Sequence, residues 1–318
     1  MGKKPLEAVI VGAGHRAVLY ARYAEKHPDR MKVVGVADPS ELRRKSAAER
    51  FGIPRENIFT DAQALADSHC PGDFVINGTM DHQHVETSLP LLDAGYDMLL
   101  EKPFATTEDE LWQLVRAVRK NDSTAAICHV LRYAPFYASI RQKVLEGSIG
   151  DIINIQATEH VSYHHVVVGY VRGKWNNKDH CKTSMLIAKS CHDLDLVAWM
   201  MSGNPPVRVS SFGNNFQFVP EKAPENAGTR CLVDCPIEKD CIFSARKQYI
   251  DHPRRWSFYV WESIEHIENP TIEDKIKSLE TDNPYGRCVW KCDNNVVDHQ
   301  SVMIDFQNGA TGTLNMIG

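Results

Sequence analysis

Glu101-Lys102-Pro103 follows the apolar run Tyr96-Asp97-Met98-Leu99-Leu100, and a Gly12-Ala13-Gly14 turn lies upstream. A Gly-x-Gly turn lets backbone approach a pyrophosphate. A lysine–proline step just past a buried strand aims a reactive amine at whatever that turn holds. In this order the two features point to nicotinamide-dependent chemistry with a lysine in the active site.

The elements that position them read as a nucleotide-binding βαβ array. Ala8-Val9-Ile10-Val11-Gly12 is a continuous β-branched run, as a strand buried on both faces of a parallel sheet requires. It enters Gly12-Ala13-Gly14-His15-Arg16-Ala17 and a helical stretch from Val18 to Lys26. Gly12 makes the tight turn, Gly14 admits the pyrophosphate, and the small Ala17 lets helix and strand pack closely. His15 and Arg16 lie inside this fingerprint and are expected to contact the cofactor. The second strand, Lys32 to Ala37, ends at Asp38, 24 positions beyond Gly14. An acid there accepts hydrogen bonds from the ribose hydroxyls and repels a 2′-phosphate, which favours NAD. Arg43 and Arg44 leave NADP open, and Asp38 also fits as N-cap of a helix from Glu41 to Phe51. A third strand, Asp73 to Asn77, runs into Gly78 to His84, and a helix from about Val85 to Ala94 precedes the strand that ends at Glu101. A helix from Glu108 to Lys120 with Leu111, Leu114, Val115 and Val118 on one face, then a strand Thr124 to Cys128, complete the array. Such alternation means a parallel doubly wound sheet with ligand across the carboxyl ends of its strands, which makes Thr79, His84 and Glu101 to Pro103 site candidates.

The chain has 318 residues, 43% hydrophobic and 24% charged, as expected of an ordinary two-domain globular protein. A net charge of −5 without a Lys/Arg stripe speaks against nucleic acid. No apolar run spans a bilayer, and Met1 to Pro5 offers neither a secretory segment nor, with Gly2 followed by Leu6 rather than Ser or Thr, a myristoylation pattern. A cytoplasmic enzyme is the expectation.

Val11-Gly12-Ala13-Gly14, Asp38, Thr79 with His84, Glu101-Lys102-Pro103, Arg132-Tyr133-Ala134-Pro135 and His192-Asp193-Leu194-Asp195 together resemble the Gfo/Idh/MocA oxidoreductase family, over most of positions 7–200. The resemblance implies an α/β fold: a Rossmann domain at 1–127, and at 128–318 an α/β domain with a large open, mainly antiparallel sheet. It implies sugar, inositol or related polyol substrates and homo-dimers or homo-tetramers built on the open sheet face. It makes Lys102 the active-site lysine beside the nicotinamide, with Pro103 after a cis peptide bond, and places His192 over the substrate as general acid/base. A lysine beside a cationic oxidised nicotinamide, partly desolvated, is expected to have a lowered pKa. Arg132 falls among the substrate contacts. The family pattern has an aspartate four positions before the histidine; here Ala188 stands there, followed by Lys189, which is the candidate to take over the polar contact.

The second domain opens with a strand from Asp151 to Thr158. Tyr163, His165, Tyr170 and Arg172 combine apolar rings and hydroxyl partners as carbohydrate pockets do. Between Asn204 and Asn295 the pattern is irregular and proline-rich, Pro253 included. Nine cysteines are present; Cys70, Cys128, Cys181 and Cys191 read as buried hydrophobes. Cys231-x3-Cys235-x5-Cys241 and Cys288-x3-Cys292 offer thiolates for a structural zinc, although the spacing departs from a C-x2-C knuckle; free thiols packed in an irregular insertion are the other reading, and no catalytic metal is assigned. Ser301 to Phe306, an Asn308-Gly309 turn and Thr311 to Met316 read as a hairpin, after which the chain stops early by comparison with the family. The function read from all this is oxidation of a secondary alcohol of a sugar, glycoside or cyclitol by NAD(P). The rivals are redox-neutral glycoside cleavage with tightly bound NAD, and a non-catalytic NAD or sugar sensor.

Overall fold

A computed structural model describes residues 4–252 and 256–318. Met1, Gly2 and Pro253, used above, lie outside the described residues. The chain divides into two compact units, 1–130 and 131–318.

In the first unit, strands β1 (Leu6–Val11), β2 (Met31–Ala37), β3 (Ile58–Phe59), β4 (Phe74–Asn77), β5 (Asp97–Leu100) and β6 (Ala125–Ile127) form a parallel sheet in the order β3-β2-β1-β4-β5-β6. Successive strand residues point to opposite faces, and both faces are cores. Val9 and Val11 pack with Leu65, Leu91, Leu100 and Leu114 on one side. Ala8 and Ile10 pack with Ala17, Val36 and Ala47 on the other. That two-sided burial is why β1 reads as an unbroken apolar run. The helix Glu108–Lys120 starts with a capping box between Thr107 and Glu110. The expected helix from Val18 to Lys26 is instead two, His15–Ala21 and Tyr23–Lys26, joined at Arg22. The two-residue strand β3 was too short to carry a pattern.

The second unit holds a separate four-stranded sheet, mostly antiparallel: β7 (Asn154–His160), β8 (Pro206–Asn214), β9 (His299–Phe306) and β10 (Thr311–Ile317), in the order β7-β10-β9-β8. Only the β10–β7 pair is parallel. Gly309, at φ 84°, makes the expected hairpin turn. One face packs Val302, Ile304, Phe306 and Leu314 under Val197 of the helix Cys191–Met200. Strand β8 sits inside the stretch read as irregular. All nine of its residues are exposed, so burial imposes no alternation on its sequence. Among the described residues, no helix is long and apolar enough to cross a membrane.

Candidate functional site

At the carboxyl edge of the parallel sheet, β1 hands over to Gly12, whose φ of 74° suits glycine. A Cβ there would stand 2.8 Å from the Thr79 amide nitrogen, so the turn must lack a side chain for the loop after β4 to close on it. A Cβ on Gly14 would meet only Arg43 Nη1, 3.9 Å away. The helix His15–Ala21 begins at Gly14 with no side-chain cap, and a helix start of this kind favours an anion. His15 and Arg16 are exposed beside it. Open backbone, an uncapped helix start and a carboxylate at the end of β2 are the parts a dinucleotide requires, and here they fit. The close helix–strand contact also needs Gly78, where a Cβ would come 2.8 Å from the Ala17 Cβ.

Asp38 is buried. Its Oδ2 accepts from the Ala13 amide at 2.7 Å and its Oδ1 from the Ser40 amide at 2.8 Å. The N-cap alternative fails: Ser40 caps the helix Glu41–Phe51, its Oγ accepting from the Arg43 amide. Each carboxylate oxygen keeps a further lone pair for a ligand hydroxyl.

The loops after β4 and β5 are tied together from below. Asn77, fully buried, donates to Thr87 Oγ1 at 2.9 Å and Ser88 Oγ at 3.0 Å, while its Oδ1 accepts from the Thr79 hydroxyl at 2.8 Å. His84 lies with Nδ1 2.6 Å from the Pro103 carbonyl and Nε2 3.0 Å from the Thr79 carbonyl. It therefore pins the cis Lys102–Pro103 turn to the Thr79 loop. Glu101 accepts from the Tyr20 hydroxyl at 2.6 Å and the Lys102 amide at 2.9 Å, with Arg16 Nε 3.6 Å away. Burial, and then the Glu101 charge, hold the Tyr20 phenol far above its ordinary range, so it stays a donor. The same two causes push the Cys128 thiol up to about 12. Lys102 is half-buried at the tip of this assembly.

In the second unit, the helix Cys191–Met200 carries His192, half-buried, in its first turn. Asp195 takes Arg132 in a bidentate pair, Nε to Oδ2 at 2.8 Å and Nη2 to Oδ1 at 2.6 Å, and the guanidinium lies over Trp199 at 5.5 Å. Lys189 Nζ meets Glu159 Oε1 on β7 at 2.8 Å. Asp193 is buried; burial first, then the Glu159 charge, raise its carboxyl to about 6, against the counter-pull of Lys189. Ala188, where the resemblance expects an aspartate, is buried, and Glu159, Lys189 and Asp193 interact with one another. His165 stacks on Trp256 with ring centroids 4.3 Å apart, and Tyr163 is partly exposed.

Residues 6–129 match the model of the oxidoreductase family with an NAD-binding Rossmann fold, and residues 137–234 match the Gfo/Idh/MocA C-terminal domain. The chain belongs to the Gfo/Idh/MocA oxidoreductase family. Its first unit is an NAD-binding Rossmann domain. The putative oxidoreductase YteT of Bacillus subtilis is 24% identical over 303 residues, covering 92% of this chain and 67% of YteT. The D-glucoside 3-dehydrogenase of Escherichia coli is 29% identical over 153 residues, 48% of this chain and 42% of that enzyme. Among solved structures, the WlbA dehydrogenase of Chromobacterium violaceum, in complex with NADH and UDP-GlcNAcA, superposes with a TM-score of 0.64 at 16% identity, over 100% of this chain and 68% of that one. The myo-inositol 2-dehydrogenase of Lactobacillus plantarum gives 0.65 at 15%, over 99% and 71%. The chain thus spans about two-thirds of these solved relatives, and these structures share its fold.

Two of the expected substrate contacts need correction. Arg172 is 1% exposed, with its donors spent on the Arg287 and Phe243 carbonyls, the Tyr249 hydroxyl and Cys231. Tyr170 is buried with it in the core of the unit. A hydroxyl-binding arginine and a structural one look alike in sequence. Arg132 is largely committed to Asp195. Asn77, Tyr20 and Glu159 were not singled out, and Asp193 entered only as part of the His192 motif. Asn77 closes an apolar strand, where a buried amide must find partners, and that was the signal for it.

Proposed function

We propose that the protein is an NAD-dependent dehydrogenase that oxidises a secondary alcohol of a sugar, glycoside or cyclitol. The observation that carries this reading is the Lys102 turn, fixed by His84, Asn77 and Glu101 at the same sheet edge as the glycine turn. Gly12, Gly14 and the start of the helix His15–Ala21 would hold the pyrophosphate, and Asp38 the ribose, with Thr79 and Pro103 beside them. Bound NAD supplies the hydride acceptor. Lys102 hydrogen-bonds the reacting hydroxyl and fixes its orientation. His192 takes the hydroxyl proton, as an imidazole near neutral pH can. The Lys189–Glu159 pair and Asp193 carry the polar load near Ala188. Tyr163 and His165 offer a ring edge to the sugar. Asp38 favours NAD, while Arg43, close above Gly14, leaves some NADP use. The exposed sheet face with Phe212, Met303 and Ile317 supports a homo-oligomer, and the location in this reading is cytoplasmic.

The test is NADH absorbance with NAD or NADP against a panel of sugars, glycosides and inositols, with Lys102→Ala as control. Lysine-dependent growth of absorbance on one substrate class is expected. A flat trace from protein that binds NAD would sink the reading for that panel.

A further inference from the structure

Two arms of the second unit without long helices or strands cross each other. The Cys231 amide donates to the Gly286 carbonyl at 2.9 Å and the Cys288 amide to the Thr229 carbonyl at 2.8 Å, around an Arg230–Arg287 bridge. Asp234 folds the first arm back by accepting from the Thr229 and Arg230 amides, and those bonds hold its carboxyl down at about 2. Gly286 lies at the crossing, where a Cβ would stand 1.9 Å from the Leu279 carbonyl oxygen. The crossing is thus built by backbone pairing.

Its product is a small, largely closed void, about 10 Å³ of it open to the centre of a water molecule, lined by Cys231, Cys235 and Cys241 from one arm and Cys288 from the other. All four are free thiols. Cys292 does not line it; its thiol donates to the Cys288 carbonyl at 3.2 Å. Arg172 forms part of the wall and points one guanidinium nitrogen at Cys231 Sγ, 3.3 Å away. Among the described residues no carboxylate pairs with it; its remaining partners are two carbonyls and a phenol. Glu238, also on the wall, accepts from Ser244. A fully buried cation of this kind requires an anion beside it.

Nature of the anion follows from the spacing. A single zinc draws its sulfurs to about 2.3 Å from one point. Among the described residues, no three His, Cys, Asp or Glu side chains converge closely enough to hold one metal ion, so the zinc option raised by the sequence is not met. Four thiols that line one void without converging on a single point suit a guest with several metal atoms, each taking one sulfur. We propose that Cys231, Cys235, Cys241 and Cys288 ligate a [4Fe–4S] cluster, with Arg172 as the buried counter-charge. A preformed [4Fe–4S]²⁺ core is transferred from a cluster-carrier protein without change of oxidation state: each Cys thiol releases its proton to solvent as its Fe–S bond forms, and the carrier's thiolate leaves that iron. The ligated cluster is anionic, and the Arg172 N–H on Cys231 is the type of sulfur hydrogen bond that tunes such centres. The cluster fastens the two arms together and is independent of the dehydrogenase reading.

The experiment is metal and sulfide analysis of the full chain, purified without oxygen from iron-replete cells and again after reconstitution with equal parts of ferrous and ferric iron and with sulfide. Iron and acid-labile sulfide in equal amounts, about four of each per chain, with visible absorption bleached by dithionite, is the expected result. One zinc per chain without labile sulfide would overturn the proposal, as would folded protein that stays metal-free after reconstitution. Cys235→Ser and Cys241→Ser should each lose more than half the iron, while Cys292→Ser and Cys181→Ser keep it. Loss in Cys292→Ser equal to that in Cys241→Ser would overturn the ligand assignment. Should the variants fail to fold, the wild-type analysis decides alone.

Discussion

In the first unit the candidate side chains hang from the ends of parallel strands, and what fixes them is mainly backbone: the Gly12 turn, the Ala13 and Ser40 amides on Asp38, the two carbonyls on His84. In the second unit the corresponding groups are fixed by one another, Arg132 by Asp195 and Lys189 by Glu159. Backbone-held groups keep their geometry when a neighbour is replaced. A charge network does not, because removing one member leaves a partly buried partner without its counter-charge. One unit is accordingly a rigid holder, and the other is a polar surface that substitution can retune.

The contrast breaks most sharply at Lys102. Lys102→Ala should lower kcat by on the order of 10²-fold or more, as misplacing the reacting hydroxyl does, with NAD affinity and melting temperature nearly unchanged. A fall in melting temperature comparable to that of a core truncation would show that the lysine holds the fold as well. Next comes Asp38→Ala, which strips two backbone amides of a charged acceptor and removes the ribose partner. A loss of about 1.5–3 kcal/mol in NAD binding is expected by calorimetry, with a smaller loss for NADP; equal losses would mean that Asp38 shapes the turn and does not discriminate.

The other two tests address the charge network. The Asp193 carboxyl is raised from 3.8 to about 6, so the fold favours its neutral form. Its stabilising contribution is complete below pH ~4 and is lost as pH rises through ~6. Asp193→Asn should therefore be more stable than the parent by about 1–2 kcal/mol at pH ~8 and equal to it near pH ~3.5, read as melting temperature against pH. A variant less stable at both would place Asp193 in a stabilising ion pair. Smallest is the Arg132–Asp195 coupling: a double-mutant cycle should return about 1 kcal/mol, because the arginine is 39% exposed, and adding 1 M salt should reduce it.

What the sequence revealed follows the same division. The parallel sheet was legible because strands such as β1, buried on both faces, must be apolar throughout, and the glycine spacing and the acid at β2 are local consequences of one turn. Strand β8 was not, since no face of it is covered and its partner β9 lies some ninety positions downstream, Ser211 pairing near Ser301. Arg172 and Tyr170 were read as sugar contacts because residue type reveals chemistry but not which side of a wall a side chain occupies. Lys189 was recognised as a compensating charge, whereas its partner Glu159 lies 30 positions upstream on another element, beyond any local pattern.

The place of β10 in its sheet has a kinetic consequence. It is an inner strand, between β7 and β9, and Asn154 of β7 meets Thr311 of β10 across 157 positions. During synthesis β7 therefore emerges long before its only neighbour in the sheet exists. The Rossmann unit, whose strand pairs are closed by residue 127, can be complete while the second sheet is still a lone, unpaired edge. Contacts of such long range slow folding and expose strands in the interim, so aggregation during production should arise from the second unit, and slower translation or a holding chaperone should relieve it.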